Sequence, residues 1–264
     1  MVRSGDLGGR RVLVVGASSG IGRALAYAAG AAGARVALAA RRFELVEAAA
    51  AEIRNAGAEA RAWRCDVTDA DDVRGLVEEA ALWMGGIDLV LYLSGASPLV
   101  RVADASPAQW HELLATNLVG AATVVASSLR HLRQAPAPAV VVTTTTMGEA
   151  PWPWLTVYGS TKAALAEMAR GLRREEPGLR VLCVAVGPTV TAFAEGWDPD
   201  MATAAFTAWA EGEMMRYGLL EAADMATAII DAVLDVGGPN DILIAAPADP
   251  NGRPSATAET PNPL

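Results

Sequence analysis

The stretch VVGASSGIGRAL, residues 14 to 25, leaves a β-branched run and enters a helical pattern through three glycines, Gly16, Gly20 and Gly22, with Ser18, Ser19 and Ile21 between them. Glycine admits positive φ and carries no Cβ, so backbone N–H groups and a helix N-terminus can approach an anion closely there. The same spacing also suits a tight turn with close helix packing, and the rest of the chain decides between the two. Strand-like runs alternate with longer alanine-rich helical segments: RVLVVG, ARVALAA, ARAWRC, IDLVLYLS, AVVVTTTT, LRVLCVAV and, at 241 to 246, DILIAA. That alternation predicts βαβ units and a parallel sheet covered on both faces. A glycine loop after the first strand of such a series is where a dinucleotide pyrophosphate would sit.

The chain has 264 residues, 52% of them hydrophobic, enough for one sizeable core and, as expected here, a single domain over residues 1–246. Its formal charge is −9, and no basic run exceeds a pair, which argues against a nucleic-acid groove or an anionic membrane surface as partner. The N-terminus MVRSGDLGGRR has no apolar signal core and no membrane-length apolar run is seen, so a cytoplasmic location is expected. Cys65 and Cys183 lie in apolar strand contexts without metal-ligand spacing and read as buried thiols; His111 and His131, the only histidines, read as residues on polar helix faces. No metal is expected. Residues 247–264, rich in Pro and Ala, read as a flexible tail.

Further along stand Tyr158 and Lys162, at i and i+4 on a predicted helix, so that both side chains leave one face a turn apart. A phenol with a reference pKa of about 10 is a sluggish acid or base near neutrality, and a neighbouring ammonium favours its ionised form. The GxxxGxG loop together with Tyr158-x-x-x-Lys162 resembles the short-chain dehydrogenase/reductase family, over roughly residues 10 to 246. The resemblance extends to CDVTD, with Asp66 and Val67 at the adenine-contacting position, to Asn117 in ATNLVG, to Gly95 after the fourth strand, and to VGPTVT, whose Gly187, Pro188, Val190 and Thr191 match the loop passing the nicotinamide. It implies a Rossmann-type doubly wound parallel sheet of about seven strands with helices on both faces, and a homodimer or homotetramer. Three positions depart from the family pattern: Val15 before the first glycine, Leu93 for an asparagine after strand four, and Val186 before Gly187.

Residue 40, where NAD-dependent members carry Asp, is Ala, and Arg41 and Arg42 follow. Guanidinium groups beside an apolar position suit a 2′-phosphate, so NADP(H) is expected as cofactor in preference to NAD(H). The resemblance places a substrate-orienting hydroxyl 13 residues before the tyrosine, which is Thr145 within Thr143–Thr146; Thr146 is the rival if the register slips. It makes Tyr158 the proton donor to a carbonyl oxygen held by Thr145, with Lys162 lowering the tyrosine pKa and holding ribose hydroxyls, and Asn117 fixing a proton-relay water. Residues 188 to 220 then form the substrate lid, and Trp152, Trp154, Trp197 and Trp209 suggest a bulky apolar or aromatic ketone or aldehyde, unless these rings only pack the lid. The alternatives are a catalytically relaxed NADP(H)-binding regulator and an NAD-dependent alcohol dehydrogenase.

Overall fold

A computed structural model describes residues 6–146, 151–212, 214, 217–247 and 257–259. The first half of the chain alternates as expected: β1 (Arg11–Val15), α1 (Gly20–Ala31), β2 (Arg35–Ala40), α2 (Phe43–Asn55), β3 (Ala60–Arg64), α3 (Ala70–Met84) and β4 (Leu89–Tyr92). A long helix follows as α4 (Pro107–Leu114), a π turn (Ala115–Val119) and α5 (Gly120–Leu132), and then β5 (Ala139–Thr145), α6 (Thr156–Glu175) and β6 (Arg180–Val186). The lid region holds β7 (Thr189–Val190), a 3₁₀ turn (Ala192–Ala194), α7 (Pro199–Glu211), β8 (Tyr217–Gly218) and β9 (Leu220–Glu221), before α8 (Ala222–Leu234) and β10 (Asp241–Pro247).

Seven strands run parallel in the order β3-β2-β1-β4-β5-β6-β10. The order reverses between β1 and β4, so a crevice opens beyond the carboxyl ends of those two strands. Composition marks 247–264 as a tail, yet Thr257–Glu259 (β11) pairs antiparallel with β10 at the sheet edge; residues 248–256 and 260–264 lie outside the described residues. The two-residue side-chain alternation sends Val12 and Val14 to one apolar layer and Leu13 and Val15 to the other. The first layer is closed by α1, α2 and α8, the second by α3, α5 and α6. Small residues on these helices, such as Ala26 and Ala29 of α1 and Ala49 and Ala50 of α2, let helix and sheet backbones approach closely.

The run Pro107–Leu132, 26 residues long, could cross a membrane by length and composition alone. Here its inner side is occupied in the fold, with Val124, Val125 and Leu132 packed into the second layer. Cys65 and Cys183 are both buried free thiols, and burial pushes Cys65 up to about 12, which keeps it protonated and unreactive.

Candidate active site

The glycine loop lies at the mouth of the crevice. Gly16 has φ +92°, and a Cβ there would stand 2.5 Å from Ser94 N, so only glycine permits this crossing of the β1 and β4 ends. At Gly22 a Cβ would meet Gly16 O at 2.2 Å, which fixes the close seat of α1 on the loop. The α1 N-terminus differs from those of α3 and α7. Asp69 and Asp198 cap the latter two through their side chains, whereas Ser19 makes no side-chain cap bond and the first turn of α1 has no acidic residue. Among the described residues the N-cap side chain of α1 thus leaves its first N–H groups and positive dipole end open, which suits a pyrophosphate beside the glycine loop. This glycine-walled, positively polarised turn fits a dinucleotide.

Ala40 ends β2 in a buried position, leaving Arg41 and Arg42 at the rim. Arg42 reaches back over the loop, donating from Nη2 to Ser18 Oγ at 3.1 Å and Ser19 Oγ at 2.9 Å, and its Nη1 is 3.9 Å from Glu195 Oε2. Arg41 contributes instead to the field at Asp66. The Asp66 carboxylate lies below its usual range, chiefly because it accepts from the backbone N–H and hydroxyl of Thr68, with Arg41 as a lesser cause. Val67 is buried against Gly120, and Ile21 is half-buried at the start of α1.

Beneath the loop the polar groups converge. Lys162 is buried and donates from Nζ to the Thr143 carbonyl at 2.9 Å, 5.8 Å from the Tyr158 ring centroid. Asn117, centred in the π turn and fully buried, accepts from Ala96 N at 2.8 Å and donates to Ala96 O at 3.0 Å and to Thr161 Oγ1 at 2.9 Å. Thr161 in turn donates to the Tyr158 carbonyl at 2.7 Å, so the π turn and the catalytic-type helix are tied through one hydroxyl. Gly95 lies between them, where a Cβ would come within 3.5 Å of Asn117 Oδ1 and 3.7 Å of Lys162 Nζ.

Both Nδ2 hydrogens of Asn117 are committed to Ala96 and Thr161, which limits any water it holds to its oxygens. Burial also overrides the electrostatic coupling expected between Lys162 and Tyr158. It raises the Tyr158 phenol above its ordinary value and lowers Lys162 to about 8. The expected depression of the tyrosine pKa by Lys162 is thus reversed in this state, and the cause is desolvation of a side chain only 8% exposed.

Strand β5 sorts its threonines. Thr143, Thr144 and Thr145 stand opposite Val184, Ala185 and Val186 in β6, with Thr144 buried and 3.7 Å from Cys183 Sγ. Thr145 is the last strand residue, half-buried at the carboxyl edge with Thr146 in the turn beyond. Gly187 owes its identity to packing, since a Cβ there would meet Ala245 Cβ at 2.6 Å. Pro188 O accepts from Leu220 N, Val190 is half exposed in β7, and the Thr191 methyl lies where a Gly20 Cβ would touch it at 3.1 Å. The departures Val15 and Leu93 are joined by a Leu93 N to Val15 O bond, with Val15 in the second apolar layer and Leu93 packed on the first.

Aromatic rings close the mouth. Phe193 meets Tyr158 edge-on at 5.4 Å between centroids, and Trp197 follows at 5.5 Å. Trp209 lies 6.1 Å from Trp197 and 4.9 Å from Trp152. Trp209 is 1% exposed and donates from Nε1 to Pro153 O, which makes it a packing residue of the lid. Trp154 stands apart, its ring under Arg101 and its backbone at φ +65°, a conformation that costs a bulky residue roughly 1–3 kcal/mol. Thr161, Ser97, Phe193 and Glu195 escaped the sequence-based site list. Thr161 could have been found from its i+3 position after Tyr158, whereas the Glu195 contact with Arg42 has no sequence signal because tertiary folding alone brings the lid to β2.

The family model for short chain dehydrogenase matches residues 10–202. The chain is 31% identical to glycine betaine reductase ATRR of Emericella nidulans over 88% of its own length, but spans only 18% of that larger protein. It is 30% identical to cis-4-hydroxycyclohexanecarboxylate dehydrogenase of Sinomonas cyclohexanicum, covering 87% of this chain and 95% of the relative. A short chain dehydrogenase from Burkholderia cenocepacia, solved in complex with NADP, superimposes with a TM-score of 0.75 at 28% identity over 89% of this chain and 92% of that one. By motif, fold and likeness together, this chain belongs to the short-chain dehydrogenase/reductase family of oxidoreductases.

Proposed function

We propose that this protein is an NADP(H)-dependent carbonyl reductase, working reversibly as an alcohol dehydrogenase, on a bulky apolar or aromatic ketone or aldehyde, with residues 10–246 as its single catalytic unit. One observation carries the proposal: α6 and the π turn bring Tyr158, Lys162 and Asn117 together, with Gly95 between Asn117 and Lys162. The bound dinucleotide supplies or accepts the hydride. Tyr158, neutral in its buried setting, donates its proton to the carbonyl oxygen, and Thr145 at the strand edge holds that oxygen. Lys162 supplies positive charge beside the phenol and can hold ribose hydroxyls. Asn117 locks the π turn to α6 and thereby fixes the phenol's backbone. Arg42 and Arg41 are assigned to the 2′-phosphate, the Gly16–Gly22 loop to the pyrophosphate, and Asp66 and Val67 to the adenine side. The protein is assigned to the cytoplasm on its N-terminal sequence, and the groove lined by Leu118, Val119, Ala122, Ala126, Ala164 and Met168 is assigned to a homo-oligomer contact.

A second substrate class has one supporting observation. Phe193, Trp197 and Phe206 form a run of partly exposed rings flanked by Glu195, Asp198 and Asp200, and such surroundings favour a quaternary ammonium group. The likeness to a glycine betaine reductase points the same way.

The test is NADPH oxidation over a panel of ketones and aldehydes that pairs a trimethylammonium aldehyde with its neutral tert-butyl isostere. Turnover of aryl ketones supports the first class, and preference for the cation over its isostere supports the second. Tyr158→Phe is expected to lower kcat by about 10² to 10⁴ while NADPH still binds. Thr145→Ala should lose most activity and Thr145→Ser should keep it. A normal Thr145→Ala beside a crippled Thr146→Ala would move the orienting hydroxyl by one residue.

A further inference from the structure

Phe193 is held differently from the aromatic residues of the core. It sits in the 3₁₀ turn, where Thr191 Oγ1 accepts from Phe193 N at 3.3 Å. Its ring stands between two others, edge-on to Tyr158 and to Trp197. Ser97 pins Phe193 and Trp197 together: its hydroxyl donates to the Phe193 carbonyl at 3.0 Å, and its carbonyl accepts from Trp197 Nε1 at 2.7 Å. Yet Phe193 remains 38% exposed, so its ring covers Tyr158 without being enclosed itself. Gly196, at φ +82° and with open space around it, turns the chain between the 3₁₀ turn and Trp197, whose N–H donates back to the Ala194 carbonyl at 3.2 Å.

We propose that Phe193 is a specificity-determining residue whose ring takes the place beside Tyr158 that the substituent of a carbonyl substrate fills. The proposal rests on the assignment of Tyr158 as proton donor in a carbonyl reductase. A carbonyl oxygen reaches the phenol only after the ring swings aside, and every substrate then forfeits the same two edge-to-face contacts. A flat aryl substituent packs against the displaced Phe193 ring, whereas a small aliphatic one gains nothing from it. The ring therefore filters substrates by what can pack against it once it has moved, and its removal frees both kinds of substrate from the cost of displacement but takes the ring contact from the aryl one alone. Trp209, by contrast, is enclosed and bonded to Pro153, and takes no part in the exchange.

The experiment uses the full chain with Phe193→Ala and, in case that variant folds poorly, Phe193→Leu, which keeps bulk without a ring. The first readout needs no activity: tetranitromethane nitration mapped by peptide mass spectrometry. Tyr158 nitration is expected to rise several-fold in Phe193→Ala, with buried Tyr92 unreactive as the internal control for folding. Unchanged Tyr158 nitration in both variants overturns the cover. The second readout is kcat/KM with NADPH for a phenyl ketone and for a small aliphatic ketone. The aryl-to-aliphatic ratio should fall about tenfold, through a gain on the aliphatic substrate. Equal changes on both ketones overturn the specificity role. A wild-type protein that reduces neither ketone overturns the carbonyl-reductase assignment and the specificity role with it, while the nitration comparison shows separately whether the ring covers the phenol.

Discussion

Lys162 and Phe193 both neighbour the Tyr158 ring and are held there in opposite ways. Lys162 is buried on α6, tied to β5 through the Thr143 carbonyl, and next in sequence to Thr161, whose hydroxyl locks α6 to Asn117. Phe193 rides a three-residue turn, fixed by ring edges and two bonds through Ser97, and is partly in water. The floor of the crevice is thus preorganised by buried hydrogen bonds, each costly to break. The mouth depends on ring contacts that another apolar group can replace. Proton transfer needs the first kind of support and substrate exchange the second.

The sharpest division within the mouth is between Trp209 and Trp197. Trp209→Ala should destabilise the protein by about 3–5 kcal/mol, as removal of an enclosed ring leaves a cavity. Trp197→Ala, half-buried, should cost about 1–2 kcal/mol and act mainly on KM. Urea unfolding of the two variants measures this, and equal losses would erase the distinction between anchor and cover.

At the cofactor rim, Arg42→Ala is expected to weaken NADPH by about tenfold or more, since a lost charge-assisted phosphate contact is worth roughly 1.5–3 kcal/mol, with NADH little changed. Arg41→Ala, farther from the loop serines, should weaken NADPH less. Titration of cofactor fluorescence settles the order, and equal losses of NADPH and NADH would remove the phosphate assignment.

The floor should betray itself through pH. Lys162 is charged below about 8 and neutral above it, so reduction that depends on its charge should decline as pH rises through that value, by about tenfold per unit. Stability should move the other way. The unfolded chain keeps its lysine proton up to the ordinary lysine value of 10.5, so between about 8 and 10.5 it binds more protons than the native state, and stability rises with pH. A pH profile of kcat/KM beside melting curves at the same pH values checks both signs; parallel trends would contradict a buried, functional ammonium. The smallest effect belongs to the exposed pair of Arg42 and Glu195. Glu195→Gln should tighten NADPH by less than about fivefold, as exposed ion pairs are worth about 0.2–1 kcal/mol, and added salt should abolish the difference.

The parallel sheet and its seven strands were legible because β-branched runs and alanine-rich helices alternate with a period the chain cannot satisfy otherwise. Tyr158, Lys162 and the glycine loop were legible for the same local reason, as spacing on one helix face and one turn follows from backbone geometry. The antiparallel β11 was hidden by tail-like composition, because an edge strand needs only backbone partners. The roles of the tryptophans were equally hidden. Trp197 and Trp209 lie on one segment with similar neighbours in sequence, yet one lines the mouth and the other is sealed against Pro153.

Local order in the amino-acid sequence therefore determined the fold class, the dinucleotide-type loop and the Tyr158–Lys162 pair, since each depends on residues within a few turns of one another. Tertiary structure alone decided the rest. It joined Asn117 to Thr161 across 44 residues, brought Glu195 to Arg42, and set Phe193 against Tyr158. It also reversed the expected tyrosine shift, because desolvation depends on everything packed around the phenol and no short stretch of sequence encodes that.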